Sequence, residues 1–486
     1  MRRLHAAALA LLLCAVGLAA QTPQRPNLVL IVTDNHGAWS IGPYGNKDVH
    51  TPQLDRMARE GAVFTQAFAN NAVCSPTRAS LLSGLMPSQH GVHRYLGADG
   101  LQIGPDAHYA LEELATIPSV LVQHGYKAGL VGKWHLGDNL HPQPGFDEWI
   151  TMPHGHSPGF YDQQVIENGS IRKEPRNLTD LWTERAVDYI AKHKAEPFFL
   201  YLAYNGPYGL GGAMEEAKRN KHFAEYADSP MASMPQDAPH PWNFNYGKWM
   251  RDLDVRRKYA SEITAIDDGV GAVLDALERH GLDDNTLVIF IGDQGLAGGH
   301  SGFWGMGDHT RPLTAFDWTM WIPLLVRQPG RIAGGLRSDH IVTNYDVLPT
   351  VLDWMGMQAD APQSPVSPGR SFAPLLRGES TAWDDVVFFE FENVRAIRTP
   401  EWKYIERFAE GPAELYDLTN DAGERLNLAA DMRFSGERAA LAEGLHAFFD
   451  QYADPKWDLW KGGRSKSGLI TENLFGADAA GEKPRR

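Results

Sequence analysis

Two apolar runs frame the chain. Leu28-Val29-Leu30-Ile31-Val32 stops abruptly at Thr33-Asp34-Asn35-His36-Gly37, and far downstream Leu287-Val288-Ile289-Phe290-Ile291 runs into Gly292-Asp293-Gln294-Gly295. An unbroken apolar run of this length predicts a strand buried on both faces, as in a parallel sheet. Ligands of open α/β sheets sit beyond the carboxyl ends of the strands. Asp34, Asn35, Asp293 and Gln294 therefore place four oxygen-bearing side chains where a site is expected. Between the two runs the pattern alternates. Residues 51–61 and 116–125 read as helices closed by Gly61 and Gly125, 126–131 as a strand, 181–193 as a helix and 197–203 as an aromatic-rich strand. A long helix over 259–280 leads into the second run, and 322–326 predicts one more strand. This alternation predicts an α/β domain over 25–380, a doubly wound and mostly parallel sheet flanked by helices.

Two stretches break the rhythm. Residues 209–250, rich in Met, Asn, Trp and Pro with no clean period, read either as an insertion over the functional face or as a packed surface loop. From about 384 the pattern turns to short strands at 386–390, 394–398, 402–405 and 414–418, followed by a helix over 436–452. That is a small α+β unit with an antiparallel sheet over 381–456, and 457–486 reads as a polar, loosely held tail. A chain of 486 residues, 43% hydrophobic and 22% charged, has the size and composition for one large domain and one small one.

The N-terminus changes how the cysteines are read. Arg2-Arg3, an apolar stretch over 7–18 and the small pair Ala19-Ala20 form the pattern of a secretory leader over 1–20, so the chain is expected to be exported to the periplasm or beyond. The stretch is too short to span a bilayer, and no later segment suits one, so stable membrane insertion is not expected. Cys14 follows Leu13, where a lipoprotein signal needs a small residue. Once the leader is removed, Cys74 is the remaining cysteine and has no partner for an internal disulfide. It is either a small buried hydrophobe or a chemical group. Loss of Arg2 and Arg3 with no acid takes the formal charge from −15 to −17. Such a surface disfavours nucleic acid and anionic membranes; a small anionic substrate then needs a pocket of specific Lys, Arg and His residues.

The segment that decides between these readings is Cys74-Ser75-Pro76-Thr77-Arg78-Ala79-Ser80-Leu81-Leu82-Ser83-Gly84. Pro76 starts a helix, with Cys74 just ahead of its N-terminus. Backbone N–H groups and the helix dipole there favour an anion and lower a thiol pKa. With it go 26–37, Thr51-Pro52-Gln53-Leu54-Asp55, Val131-Gly132-Lys133-Trp134-His135-Leu136-Gly137, 197–207, the Asp293 strand and Glu414-Leu415-Tyr416-Asp417-Leu418. Over nearly the whole mature length these features resemble the formylglycine-dependent sulfatases of the alkaline-phosphatase-like superfamily.

The resemblance implies that a maturation enzyme oxidises Cys74 to formylglycine, whose hydrate attacks a sulfate ester. It implies a divalent cation, calcium, held by Asp34, Asn35, Asp293, Gln294 and the modified Cys74. Lys133 would contact the nucleophile and a sulfate oxygen, His135 would assist release of sulfate, and Arg78 would help hold residue 74. The sequence also departs from the family pattern. Asn35 and Gln294 stand where Asp and Asn are usual, Gly206-Pro207-Tyr208 replaces Ala-Pro-His, and Met306 follows Trp304-Gly305 where a Lys is common. His309 is a substitute leaving-group acid by position, with Arg311 to hold substrate or Asp308, and His300 a weaker choice; Tyr208 either donates a neutral hydrogen bond or packs. Trp, His and Arg residues in loops 93–110, 154–164 and 208–250 suit a sulfated carbohydrate as well as plain loop packing. The rival readings are a phosphate or phosphonate ester hydrolase of the same superfamily, and a non-catalytic binder of sulfated glycans.

Overall fold

The computed structural model describes residues 25–97, 102–235, 237–409 and 411–471. The leader expected over 1–20 lies outside the described residues, as does 472–486.

In chain order the strands are β1 (Asn27–Asp34), β2 (Ala62–Phe68), β3 (Lys127–Gly132), β4 (Glu148–Thr151), β5 (Gln163–Glu167), β6 (Ser170–Glu174), β7 (Phe198–Pro207), β8 (Thr286–Gly292), β9 (Leu324–Arg327) and β10 (Leu336–Thr343). They form one sheet in the order β10-β2-β9-β8-β1-β7-β3-β4-β5-β6. The centre is parallel: β1 lies between β8 and β7, with Leu28 opposite Leu287 on one side and Phe199 on the other. Antiparallel pairing enters where β9 inserts between β2 and β8 and where the β5–β6 hairpin extends the edge. The expected doubly wound, mostly parallel sheet is thus found.

Among the described residues the longer helices are α1 (Pro52–Glu60), α2 (Cys74–Ser83), α3 (Ile117–Gln123), α4 (Leu178–His193), α5 (Leu253–Arg279) and α6 (Val347–Trp354), which accompany this sheet, and α7 (Ser435–Tyr452), which belongs to the C-terminal unit. Successive β1 residues point to opposite faces. Val29 and Ile31 join the core made with α1, α4 and α5 (Leu54, Leu181, Ile190, Ile263, Val270). Leu28, Leu30 and Val32 join the other, made with α2, α3 and α6 (Leu81, Leu82, Leu121, Leu348, Val351). A strand packed on both faces has no place for a polar residue until it leaves the sheet, which explains the abrupt switch from Val32 to Asp34.

The C-terminal unit is the expected small antiparallel sheet, β11 (Val387–Phe391), β12 (Val394–Arg398), β13 (Trp402–Arg407) and β14 (Glu414–Asp417), in that order. It is covered by α7 through Leu441, Leu445 and Phe449. Buried ion pairs join it to the segment between β8 and β9: Lys403 Nζ lies 2.8 Å and Arg398 Nε 3.2 Å from Asp317, and Lys403 Nζ also lies 2.8 Å from Glu424 of the unit itself. Part of the stretch read as a loose tail is packed. Ser465, Ser467 and Leu469 are buried, and Lys466 N–H donates to the Gly91 carbonyl at 2.7 Å. No helix among the described residues is long and apolar enough to cross a membrane.

Candidate active site

β1 and β8 are adjacent and parallel, so Asp34 and Asp293 emerge side by side at the same edge of the sheet. α2 delivers the third group. Cys74 is its first helical residue rather than the residue before it, and its buried Sγ lies 3.3 Å from Asp34 Oδ1. One donor atom each from Asp34, Cys74 and Asp293 fall within 4.8 Å of one another, all buried. Here an expectation fails. Burial, reinforced by the Asp34 and Asp293 carboxylates, pushes the Cys74 thiol far up, and Lys133 and Arg78 only partly oppose this. The helix N-terminus does not make this thiol acidic because the thiol is buried and two acids share its pocket.

The cations brace the acids. Lys133 Nζ lies 2.6 Å from Asp34 Oδ2. Arg78 was expected to hold residue 74; instead its Nε donates to Asp293 Oδ2 at 3.0 Å and its Nη1 to the Lys133 carbonyl at 2.8 Å, which ties α2 to both neighbouring strands. Asp293 Oδ1 also accepts the backbone N–H groups of Asn35 and Gln294, at 3.1 and 2.8 Å. Burial and the Asp34 charge nevertheless push the Asp293 carboxyl above the usual carboxylate range.

The donor set fits a hard divalent cation. Two carboxylates, the Asn35 amide oxygen and residue 74 converge, and buried carboxylates this close to each other call for positive charge between them. The fourth expected ligand is turned the other way. Gln294 Nε2 donates to Asp34 Oδ1 at 3.3 Å, to Cys74 Sγ at 3.3 Å and to Asn35 Oδ1, so an amide N–H group sits among the oxygens. Gln294 Oε1 accepts from the Thr77 hydroxyl at 3.2 Å. Half a turn about the last side-chain bond exchanges the two atoms and offers the oxygen to the same point.

His135 sits in left-handed backbone, φ 62°, three residues past the end of β3. Its Nε2–H donates to the Leu96 carbonyl at 2.9 Å, and Nδ1 is buried without a partner among the described residues. Burial, with Lys133 nearby, holds its pKa well below the ordinary value, so Nδ1 is a neutral, unoccupied acceptor. Gly155 is what lets the ring lie there: a Cβ on residue 155 would come within 1.7 Å of His135 Cδ2.

Above Cys74 opens a cavity of about 500 Å³. Tyr208, Met306, Asp308, His309 and Arg311 line it, as do Leu210, Gly211 and the stretch Phe244, Asn245, Tyr246. The irregular 209–250 segment therefore does contribute to the functional face. Tyr208 N–H donates to the Asp34 carbonyl at 3.0 Å, and its ring lies 5.7 Å from Lys133 Nζ. His309 Nδ1 accepts the Met306 N–H at 3.0 Å, which leaves the proton of the neutral ring on Nε2; burial lowers its pKa. The Asp308 carboxylate is 3.3 Å from the same Nδ1. Arg311 Nη1 donates to the Asp308 carbonyl at 2.7 Å, so it holds the backbone of that residue, and its guanidinium lies 4.3 Å from the Phe244 ring centre. His300 is not brought in: it stacks on Trp318 with ring centres 3.7 Å apart and is absent from the cavity wall.

His156, one of the histidines expected in loop 154–164, is in the cavity wall, as are Tyr95, Tyr246 and Ile470, which the sequence did not single out. His156 packs edge-on against Tyr95 and His135, with ring centres 5.0 and 5.5 Å away, and burial lowers its pKa to about 4. The pair His154 and His156 flanking Gly155 was the available signal.

Taken together, the fold and site define an α/β enzyme that gathers a metal-ready acidic pair, two cations and one modifiable side chain beneath an open cavity. Residues 26–357 match the sulfatase family, and 311–451 match the C-terminal region of N-sulphoglucosamine sulphohydrolase. Over 411 aligned residues, 76% of this chain and 70% of the relative, the chain is 31% identical to N-acetylgalactosamine-6-sulfatase of Mus musculus. It is 25% identical to N-acetylglucosamine-6-O-sulfatase of Bacteroides thetaiotaomicron over 94% of this chain and 93% of that one. Among solved structures, a protein in complex with its substrate D-glucosamine-2-N,6-O-disulfate superposes with a TM-score of 0.73 at 22% identity, covering 88% of this chain and 98% of that one. The phosphonate monoester hydrolase of Agrobacterium radiobacter shares the fold at a TM-score of 0.64 and 21% identity, over 89% and 97%. The chain belongs to the sulfatase family and is a sulfuric ester hydrolase. Members of that family work with a divalent metal and a formylglycine nucleophile, and the donors around Cys74 suit both.

Proposed function

We propose that this chain removes sulfate from a sulfated carbohydrate, on the non-reacting part of which the loops around the cavity act, using residue 74 as formylglycine and calcium as the cation. The observation that carries the reading is the convergence of Asp34, Asp293 and Cys74 within 4.8 Å beneath an open cavity. The substrate class rests on relatives named for 6-sulfated N-acetylhexosamines and on the Tyr, His and Arg lining of the cavity. Export, with the leader ending near residue 20, and the division at about residue 380 between a catalytic and a small C-terminal unit are part of the same proposal.

Charge decides what the site needs. Asp34 and Asp293 against Lys133 and Arg78 sum to about zero. A sulfate monoester carries one negative charge, so net attraction requires a further positive charge at the acid pair, which a calcium ion held by Asp34, Asn35, Asp293 and Gln294 would supply. As formylglycine, residue 74 would supply a hydrated aldehyde: one hydroxyl would bond to sulfur while its proton goes, directly or through a neighbouring group, to the departing ester oxygen, and loss of the proton from the other would restore the aldehyde and free sulfate. His135 Nδ1, neutral and unpartnered, accepts that second proton. Lys133, already paired with Asp34, would bind a sulfate oxygen. At the leaving oxygen stands His309, whose Nε2–H donates a hydrogen bond; a second proton on Nδ1 would be held by Asp308. With Met306 and Tyr208 both uncharged, the leaving-group side of this pocket works through neutral donors.

That arrangement also separates this reading from its rival. A doubly charged phosphate monoester needs more positive charge than a sulfate, and here two customary cations are absent. Matched 4-nitrophenyl sulfate and 4-nitrophenyl phosphate are expected to give kcat/KM in favour of the sulfate by at least about 10²-fold, the scale of one poorly matched charge in a buried site. Preference for the phosphate would reject the reading.

A further inference from the structure

The last described stretch of the chain returns to the cavity. Residues 463–471 leave the C-terminal unit and run along 91–96. Ser467 Oγ accepts the backbone N–H groups of His93 and Arg94 at 3.2 and 3.0 Å, His93 Nδ1 is 3.2 Å from Ser465 Oγ, and Arg94 Nη1 donates to the Leu469 carbonyl at 3.3 Å. The end of this strap is clamped by one carboxylate. Glu392 Oε1 accepts the Ile470 N–H at 2.7 Å, and Oε2 accepts the Thr471 N–H at 3.0 Å and the Thr471 hydroxyl at 2.5 Å. Glu392 lies in the turn between β11 and β12, fully buried, with a left-handed φ of 49°. A charged side chain taken out of water at a strained backbone position needs compensation, and three donors from one short segment provide it. The clamp fixes Ile470, whose side chain joins Tyr95 and His156 in the wall of the cavity that holds Cys74.

We propose that Ile470 is a specificity-determining residue: an aliphatic contact for the sugar ring of the sulfated substrate, held in place by Glu392 acting as a positioning residue. The inference rests on the proposed reading of a carbohydrate sulfate and deepens it. The cavity floor is polar and reads the sulfate, whereas the strap gives one wall an apolar surface against which the C–H face of a sugar packs. Binding of this kind is felt before the chemical step, so it changes KM rather than kcat. It also makes substrate affinity depend on the C-terminal unit, through a turn that never reaches the reacting atoms.

The test uses the full-length matured enzyme with two probes, N-acetylglucosamine 6-sulfate and 4-nitrophenyl sulfate. Ile470→Ala is expected to raise KM for the sugar sulfate roughly tenfold, the scale of lost aliphatic contact in a pocket wall, with kcat within about twofold. Glu392→Gln should raise KM in the same direction and expose the strap to trypsin at Lys466. The double variant should be no worse than the more affected single one, because both act through one contact. Unchanged KM in Ile470→Ala, or a fall in kcat at constant KM, overturns the proposal. So does a double variant whose effects on KM multiply. A wild-type enzyme that turns over the aryl sulfate but no sugar sulfate refutes the carbohydrate reading; the strap is then judged by the same KM-against-kcat split on the aryl probe.

Discussion

Replacing Gly155 by Ala adds one methyl group, and the structure says where it goes: 1.7 Å from His135 Cδ2, 1.8 Å from Cγ and 2.3 Å from Nε2. Carbon atoms in contact sit about 3.5–4.0 Å apart, so ring or backbone must give by roughly 2 Å. The ring has little room. Its Nε2–H is bound to the Leu96 carbonyl at 2.9 Å, and His156 packs against it with ring centres 5.5 Å apart. The backbone of residue 155 is itself held by the Gln102 side chain at 2.5 Å. Overpacking of this kind costs about 1–3 kcal/mol of stability, a fall in Tm of a few degrees for a chain of this size. The catalytic effect is larger. Displacing the group that takes the proton in sulfate release should cost about 10²–10⁴ in that step. With 4-nitrophenyl sulfate the leaving group departs readily, so release of sulfate limits steady turnover. The expected record is therefore a burst of nitrophenolate close to one equivalent per enzyme, followed by a steady rate lowered at least about 10²-fold. Adding His135→Ala should bring little further loss, since both changes remove one function. Gly155→Ala with wild-type steady turnover would refute the placement of His135 in the release step; loss of the burst itself would assign the ring to the first step.

Three further outcomes follow from particular side chains. His309→Ala should lower turnover of an alkyl or sugar sulfate about 10²-fold more than that of 4-nitrophenyl sulfate, since only a poor leaving group needs the Nε2–H donor; equal loss on both would remove that role. Exhaustive chelation should abolish turnover and added calcium restore it, and full activity in protein shown by elemental analysis to be metal-free would contradict the cation reading. Glu262, buried in α5 and raised to about 8 by burial, keeps its proton in the folded chain while the unfolded chain releases it above about 4.5. Stability should therefore fall as pH rises from about 5 to 8, by up to about 1.4 kcal/mol per pH unit for that one proton, and level off above 8. Urea unfolding of Glu262→Gln should lose that part of the slope, and an unchanged slope would show that Glu262 does not contribute it.

The parts of the architecture that could be read from sequence are those where one physical demand dominates. β1 and β8 are unbroken apolar runs because helices cover both of their faces, and the acids at their ends follow from where such strands leave the sheet. β2 escaped notice because Thr65 and Gln66 interrupt Ala62–Phe68, and they are tolerated because both are only partly buried. β10 was hidden likewise by Arg337, Ser338, Asp339 and His340 in its first half. In the site, Asp34, Cys74, Lys133, His135 and Asp293 could be found because each sits at the junction of a strand or helix with its loop. His156 was legible only as one histidine of a loop, and Tyr95, Tyr246 and Ile470 were not, because they meet only through contacts between loops far apart in the chain. The thiol pKa was misjudged for the same reason: the helix start is local and visible, whereas the burial that outweighs it, and the two carboxylates that reinforce it, come from chain 40 residues before and over 200 after.

The chemistry depends on what residue 74 becomes. Produced in a host that carries the maturation enzyme, purified active protein should yield a peptide spanning Cys74 with the mass of an aldehyde in place of the thiol, in a fraction that scales with specific activity. Active protein whose peptide carries only the unmodified cysteine would contradict the account.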